Sequence, residues 1–337
     1  MRDQGSGAPE TLVLSGRDIA GLMDQAAWME AVETGFAAAA AGAAWSPPPM
    51  HIDADGGAFH AKGAALRLDR LYVAVKLNGN FPANPVARGL PTIQGAILLC
   101  DGSGGSLLAI LDSIEVTLRR TAAATALAAR HLARPESSTL LVCGCGEQGR
   151  AQLEALAAVL PLTRALAWDA DAAHAAGFAA EMSRRLGVET AAVTDLDVAA
   201  RMSDVIVTCT PSTSPFLGKS MVAPGGFVAG VGADSSSKSE LCPDLFEGTR
   251  VVADVLSQCE TMGDLRHAIA AGTIAREQVH AELADLVAGT RSGRISAEEI
   301  TVFDSTGTAL QDVAAAALIY ERALGRASLP TVALGRR

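Results

Sequence analysis

Apolar positions along this chain follow two rhythms, and the change between them marks its organisation. Leu12–Leu14 is a short strand-like run, and Ser15 is placed to cap a helix after it. From Ile19 through Ala41 the residues are helix formers; Gly42 ends the run and Pro47–Pro49 forbids more helix. Between about residues 50 and 112 the apolar runs shorten. Phe59, Leu66, Leu68, Leu71–Leu77 and Ile93–Leu99 read as strands broken by Gly, Pro and Asn. Asp101–Gly105 reads as a hairpin-type turn between Ile97–Cys100 and Leu107–Leu111. Helical spacing returns at Thr117–Ala133, and Arg134-Pro135-Glu136 makes a boundary. Beyond it, strands and helices alternate. The strand candidates are Leu140–Cys143, Ala165–Trp168, Thr190–Val193, Val205–Thr210, Phe227–Val231, Val251–Val255 and Ile300–Phe303. That alternation predicts an α/β protein with a Rossmann-type, doubly wound parallel sheet. A final amphipathic helix, Thr308–Leu324, comes after this alternating region and is expected to return to the first.

The second rhythm opens on a specific signal. Thr139–Cys143 runs straight into Gly144, Gly146 and Gly149, spaced G-x-G-x-x-G, with Glu147 and Gln148 opening a helix whose Leu153, Leu156 and Leu160 share a face before Pro161. This is the order a dinucleotide needs: the first glycine for the tight turn, the second for close approach of pyrophosphate, the third for packing helix on strand. The helix N-terminus then offers free N–H groups to phosphate. Asp169 ends the next strand, 20 residues after Gly149. An acid there can bond both ribose hydroxyls, so NAD is expected in preference to NADP. Thr210 and Val231 close later strands at the same carboxyl edge, where ligands of such sheets bind, and join the expected cofactor residues.

Composition narrows the rest. The chain has 337 residues, room for two domains of about 150 each. No stretch approaches the ~20 apolar residues of a membrane span. The opening MRDQGSGAPE lacks an apolar signal core, which suggests a frayed cytoplasmic start. A net charge of −10 without long single-sign blocks argues against a nucleic-acid partner. The six cysteines are scattered without a CxxC pair, so neither zinc nor a disulfide framework is expected.

Three charged residues stand beside glycine or at strand ends. Lys76 closes Leu71–Val75 and precedes Leu-Asn-Gly-Asn; Arg120 begins RTAAAT at the start of a helix; Asp234 follows Phe227–Val231 and Gly232. Asp234 fits a reacting group near a nicotinamide, and equally an N-cap for a helix over Ser235–Glu240. Lys76 and Arg120 read as ligands or as surface charges. Asp112 and Glu115 fit a turn before the Arg120 helix, and Asn78 and Asn80 fit a turn or a binding loop. His51 and His60 read as proton relays or as ordinary core or surface histidines.

Together these residues resemble the ornithine cyclodeaminase/mu-crystallin family. The resemblance rests on Lys76-Leu-Asn-Gly-Asn-Phe-Pro-Ala-Asn84, GLPTIQG at Gly89–Gly95, RTAAAT at Arg120–Thr125, CGCGEQG, VGAD at Val231–Asp234 with Lys238-Ser-Glu-Leu241, and FDSTG at Phe303–Gly307 with Leu310-Gln-Asp312. It implies a homodimer and a split substrate and dimerisation domain of α+β type built from both chain ends, residues 10–125 with 308–337. An NAD-binding domain, 126–307, is inserted between them. It implies that Lys76 and Arg120 hold the α-carboxylate of an amino or imino acid, bidentately for the guanidinium. Asp234 would manage a proton, Thr121 would lie near the cofactor phosphates, and Ser305 and Thr306 near the nicotinamide.

The departures point to the reaction. Where cyclodeaminases carry a carboxylate-gripping arginine, this chain has Pro49 within Ser46-Pro-Pro-Pro-Met-His51. Where they carry a glutamate for the distal amine of ornithine, it has Lys62 within Phe59-His-Ala-Lys-Gly63. A diamine would meet like charge at Lys62, whereas an acidic side chain would be attracted; a solvated strand lysine is the plainer reading. Members that reduce imines or oxidise amino acids, such as iminosuccinate reductases and alanine dehydrogenases, are the closer analogy. The expectation is an NAD(H)-dependent oxidoreductase acting on the C–N bond of a small amino or imino acid. Alternatives are an ornithine or lysine cyclodeaminase that recycles NAD, a dehydrogenase of an N-substituted amino-acid conjugate, and a ligand-carrying binding protein.

Overall fold

The computed structural model describes residues 10–334. The opening nine residues, expected as a frayed start, lie outside the described residues. The chain divides into two compact units: the described residues up to Arg120 with those from Ala309 onward, and Thr121–Thr308. In chain order the first contains β1 (Thr11–Leu14), α1 (Gly16–Leu22), α2 (Gln25–Ala40), β2 (Ala44–Trp45), β3 (Met50–Ala54), β4 (Gly57–Arg67), β5 (Leu71–Asn80), α3 (Asn84–Arg88), β6 (Ile93–Asp101) and β7 (Leu107–Asp112). Helix α4 (Ser113–Leu132) carries the chain into the second, which contains β8 (Thr139–Cys143), α5 (Glu147–Ala157), β9 (Arg164–Trp168), α6 (Ala172–Leu186), β10 (Glu189–Ala192), α7 (Leu196–Arg201), β11 (Val205–Thr208), β12 (Phe227–Gly230), β13 (Arg250–Ala253), α8 (Leu256–Met262), α9 (Leu265–Ala270), β14 (Ala281–Glu282), α10 (Leu283–Val287) and β15 (Thr301–Asp304). Helix α11 (Ala309–Ala323) and β16 (Thr331–Val332) return to the first unit.

Local chemistry sets several boundaries that hydrophobic spacing misplaced. Ser15 caps α1 through a reciprocal box with Asp18, their oxygens taking each other's backbone N–H at 3.3 and 2.9 Å. The single helix expected from Ile19 to Ala41 is in fact two, because the Asp24 carboxylate accepts the Ala27 N–H at 2.8 Å and starts a new helix. Helix α4 begins four residues before Thr117. The Asp112 carboxylate takes the Ile114 N–H at 2.7 Å, so Glu115 lies in the first turn and Arg120 in the helix interior rather than at its start. Lys76 likewise sits inside β5, not at a strand end, because pairing with β4 and β6 carries the strand on to Asn80. Asn78 and Asn80 therefore belong to a strand, not a turn.

The first unit's sheet runs β16-β1-β7-β6-β5-β4-β2, with β3 hairpinned on β4. All its pairs are antiparallel except β1 with β7. Helix α11 packs across β4 to β7, and α2 packs on α11. The approach is close: a Cβ on Gly35 would stand 3.1 Å from the Ala314 methyl. Strand alternation turns Tyr72, Ala74 and Lys76 inward, all buried, and leaves Val75 and Leu77 exposed. On that outer face Val13, Ile110, Leu98 and Val75 are successive register partners across four strands.

The second unit's sheet has eight strands in the order β10-β9-β8-β11-β12-β15-β13-β14, every pair parallel. Its strands read as continuous apolar runs because both faces are covered; Leu141, Leu166, Ile206, Val228 and Val302 are buried in one core cluster. The strand order reverses between β8 and β11, which places a topological switch point beside Gly144.

The break at Asp24 gives a stability test. Asp24→Ala is expected to cost about 1 kcal/mol, read as a lower urea midpoint at unchanged slope. An unshifted midpoint would show that the cap does not set the break.

Candidate functional site

Within the second unit, the three fingerprint glycines each meet a different constraint. Gly144 has φ of +105°, and a Cβ there would stand 2.8 Å from the Cys209 carbonyl. A Cβ on Gly149 would stand 2.2 Å from the Gly144 carbonyl, so α5 packs on β8 only with glycine there. Around Gly146 a Cβ would meet no atom within 4 Å. That open side, on the N-cap of α5 where no side chain caps the helix, is where pyrophosphate can approach backbone N–H groups. Nearby, the Gln148 Nε2 is buried with no hydrogen-bond partner among the described residues. Asp169 is held by the Cys145 N–H at 2.8 Å and the Asp171 N–H at 3.0 Å. These residues fit a dinucleotide whose ribose keeps both hydroxyls. Glu147 is exposed and only loosely paired with Arg150, at 3.8 Å.

Two of the remaining expected cofactor residues, Thr210 and Ser305, are held by buried acids that spacing alone did not single out. Glu240 takes the Thr210 N–H at 2.5 Å and hydroxyl at 2.7 Å on one oxygen, and the Thr208 hydroxyl at 2.7 Å and Gly232 N–H at 2.8 Å on the other. It staples the loops after β11 and β12. Burial raises its carboxyl to about 7 against the pull of these donors. The Thr210 hydroxyl is thus spent on Glu240. Asp254, at the end of β13, takes the Ser305 hydroxyl at 3.2 Å, the Thr306 hydroxyl at 3.3 Å and the Gly307 N–H at 2.7 Å, so the Ser305 hydroxyl is committed too. Val231 and Thr121 are buried. Asp304 accepts the N–H groups of Asp264 and Leu265 at 3.3 and 2.9 Å. Burial drives its carboxyl well above the usual range. Asp234 caps nothing, because no helix forms over residues 235–240. Its half-exposed carboxylate takes the Lys238 ammonium at 2.7 Å.

Within the first unit, Lys76 and Arg120 converge on Asp312 of α11. The Lys76 Nζ stands 2.7 Å from one carboxylate oxygen, a close ion pair although not aligned as a hydrogen bond. The Arg120 Nε donates to the other at 3.0 Å, and its Nη1 donates to the Gln311 side-chain Oε1 at 2.8 Å. Lys76 also reaches the Thr117 hydroxyl at 3.2 Å. Lys76, Arg120 and Asp312 are each 5% exposed or less. Burial pushes Lys76 down to about 8, with Asp312 opposing and Arg120 and Lys62 adding to the fall. Burial pushes Asp312 up, and the two cations more than reverse it, leaving it below the usual carboxylate range. Lys62 on β4 is the direct register partner of Lys76. The site thus gathers two buried cations on one carboxylate with a third cation alongside, an arrangement that can receive a further anion. Asp312 carried a legible signal, an acid between Leu310 and Val313 on the buried stripe of an amphipathic helix. His51 and His60 lie on the β3–β4 hairpin, their Nδ1 atoms 3.2 Å apart, with the His51 Nε2 2.9 Å from Asp53.

A parallel doubly wound sheet with a three-glycine cradle at its switch point defines a dinucleotide-type α/β protein. The chain belongs to the ornithine cyclodeaminase/mu-crystallin family, whose profile matches residues 9–327. It is 37% identical over 317 residues to an alanine dehydrogenase of Archaeoglobus fulgidus, covering 94% of this chain and 96% of that one. It is 34% identical over 314 residues to an iminosuccinate reductase of Paracoccus denitrificans, covering 93% and 96%. Among solved structures it resembles an archaeal alanine dehydrogenase dimer with bound NAD, with a TM-score of 0.91, 35% identity, and coverage of 96% of this chain and 99% of that one.

Glu240 gives a prediction independent of turnover. Both its oxygens face backbone N–H donors, so in Glu240→Gln the amide NH2 must confront one of them. The variant is expected to lose about 1–3 kcal/mol in urea denaturation. An unchanged midpoint would mean that these loops do not depend on the carboxylate.

Proposed function

We propose that this protein is an NAD(H)-dependent oxidoreductase acting on the C–N bond of a small amino or imino acid. The observation that carries the reading is the pair of buried cations, Lys76 and Arg120, preset on one carboxylate in a chain that also holds a three-glycine cradle with Asp169. Bound NAD supplies a hydride acceptor in oxidation, and NADH a donor in reduction. Gly144, Gly146, Gly149 and Gln148 would take the pyrophosphate. Thr121 and Glu147 would flank the phosphates, and Thr210, Val231 and Ser305 would shape the nicotinamide end. Asp169 would take the ribose hydroxyls and repel a 2′-phosphate, favouring NAD over NADP.

Lys76 and Arg120 bind the substrate α-carboxylate, fixing the α-carbon so that orientation supplies much of the rate. In oxidation the α-carbon loses hydride and the nitrogen loses a proton to Asp234, leaving an imine. Water adds to the imine and ammonia departs, giving the 2-oxo acid. In reduction Asp234 returns the proton to nitrogen. The named relatives, an alanine dehydrogenase and an iminosuccinate reductase, support this class of reaction. The apolar ladder Val13, Ile110, Leu98 and Val75 supports a homodimer through the outer sheet face, as does the dimeric neighbour. A cytoplasmic location is supported by six free cysteines.

The test is incubation with NAD and a panel of amino acids while NADH and ammonia are both followed. The two are expected to appear together, whereas ammonia without NADH would identify a cyclodeaminase and overturn the reading. Arg120→Ala is expected to lower kcat/KM about 10- to 100-fold, the worth of a hydrogen bond to a charged group. Lys76 must be protonated to hold a carboxylate. Binding is therefore full below its pKa of about 8 and weakens as pH rises through it. The inhibition constant of propionate should be flat from about pH 6, where its carboxylate is ionised, and climb above about 8. A constant that stays flat to pH 10 would remove Lys76 from the carboxylate site.

A further inference from the structure

The β3–β4 hairpin carries a cluster that the proposed reaction does not use. His51 and His60 are direct register partners across its two strands, nine residues apart in sequence. Directly opposed residues of an antiparallel pair project to the same face. The two Nδ1 atoms stand 3.2 Å apart, with ring centroids 4.6 Å apart and ring planes at 64°. The other nitrogen of His51, Nε2, lies 2.9 Å from an oxygen of Asp53, two residues along the same strand. An ionised carboxylate only accepts, so Nε2 carries a proton and the Nδ1 of neutral His51 carries a lone pair. The His60 Nδ1–H then donates to it, and one proton lies between two basic nitrogens.

A metal ion fits where that proton lies. Two nitrogens 3.2 Å apart, each about 2.0–2.1 Å from a zinc ion, subtend about 100–106° at it, close to tetrahedral. A carboxylate on the far nitrogen of a ligating histidine fixes its tautomer and ring orientation and raises its basicity, which is the place Asp53 occupies. Imidazole nitrogen suits Zn2+ and its transition-metal neighbours, whereas Mg2+ and Ca2+ take oxygen. We propose that His51 and His60 form a Zn2+ site, ligated through both Nδ1 atoms, with Asp53 holding the His51 ring. On binding, the shared proton passes by exchange with water to the other ring nitrogen of His60, and both imidazoles remain neutral ligands. No group of three His, Cys, Asp or Glu ligands forms among the described residues, so water completes the coordination. Half-exposed His51 leaves the ion a path from solvent. Strand β3 pairs with β4 alone, so an ion held from both strands staples it to the sheet. Cysteine spacing carries no sign of this site, because its ligands meet only once the hairpin forms.

The test is equilibrium dialysis of the chelator-treated full chain against Zn2+, without NAD or substrate, so its outcome is independent of the proposed reaction. Saturable binding of one ion per chain at the hairpin is expected. His51→Ala and His60→Ala should each weaken it at least about tenfold, and Asp53→Asn about tenfold, the lower end for loss of such a supporting contact because Asp53 is exposed. Zn2+ should slow hydrogen exchange of the β3 amides in the wild-type protein and not in either histidine variant. A large excess of Mg2+ should leave Zn2+ bound. Absence of Zn2+ binding by the wild-type protein, displacement by Mg2+, or β3 exchange that Zn2+ does not slow overturns the proposal. So does binding that survives undiminished in both histidine variants, which would place the ion on other groups such as the six free cysteines. Circular dichroism of each variant separates loss of the site from loss of the fold.

Discussion

One buried carboxylate, Asp312, organises the chemistry of the first unit. Bringing Lys76 and Arg120 out of water is costly, and a buried charge needs a counterion to offset that cost. Asp312 supplies it from α11, a helix contributed by the far end of the chain. The pairing holds two cations still on one carboxylate, in a dry setting. It also explains why Lys76 stays only moderately depressed despite full burial. A freely moving lysine and arginine would lose side-chain entropy on catching a substrate; this pair has lost it on folding.

The second unit uses the same device with opposite sign. Glu240, Asp254 and Asp304 are buried acids at or near the carboxyl ends of the sheet strands; Glu240 and Asp254 take backbone and hydroxyl donors, and Asp304 takes two backbone N–H groups. They fix loops that hydrophobic packing alone would leave loose. Thr210 and Ser305, read from sequence as cofactor contacts, spend their hydroxyls on this scaffold. What either could still offer a ligand is backbone position and shape.

The parallel sheet was legible because strands buried on both faces read as plain apolar runs, and because the glycine fingerprint fixes its own context. Element ends were legible where a breaker stands, as at Gly42, and misread where a polar side chain decides, as at Asp24 and Asp112. Lys76 and Arg120 were singled out as candidates, though their places inside a strand and a helix were not read. Asp312 was legible as part of a motif and as an acid on a buried helical stripe, but its role needs a contact between chain ends about 190 to 235 residues apart, which local spacing cannot show. The helix-cap alternative for Asp234 failed because Ser235-Ser-Ser-Lys238 forms turns and the carboxylate turns to Lys238 instead.

The account stands on Lys76 and Arg120 as the carboxylate receiver. The most direct measurement is a crystal structure of the protein with NAD and an amino-acid substrate. The account predicts the α-carboxylate on the Lys76 ammonium and the Arg120 guanidinium, with Asp312 still bound to both. An α-carboxylate held elsewhere, with those two cations making no contact to it, would contradict the account.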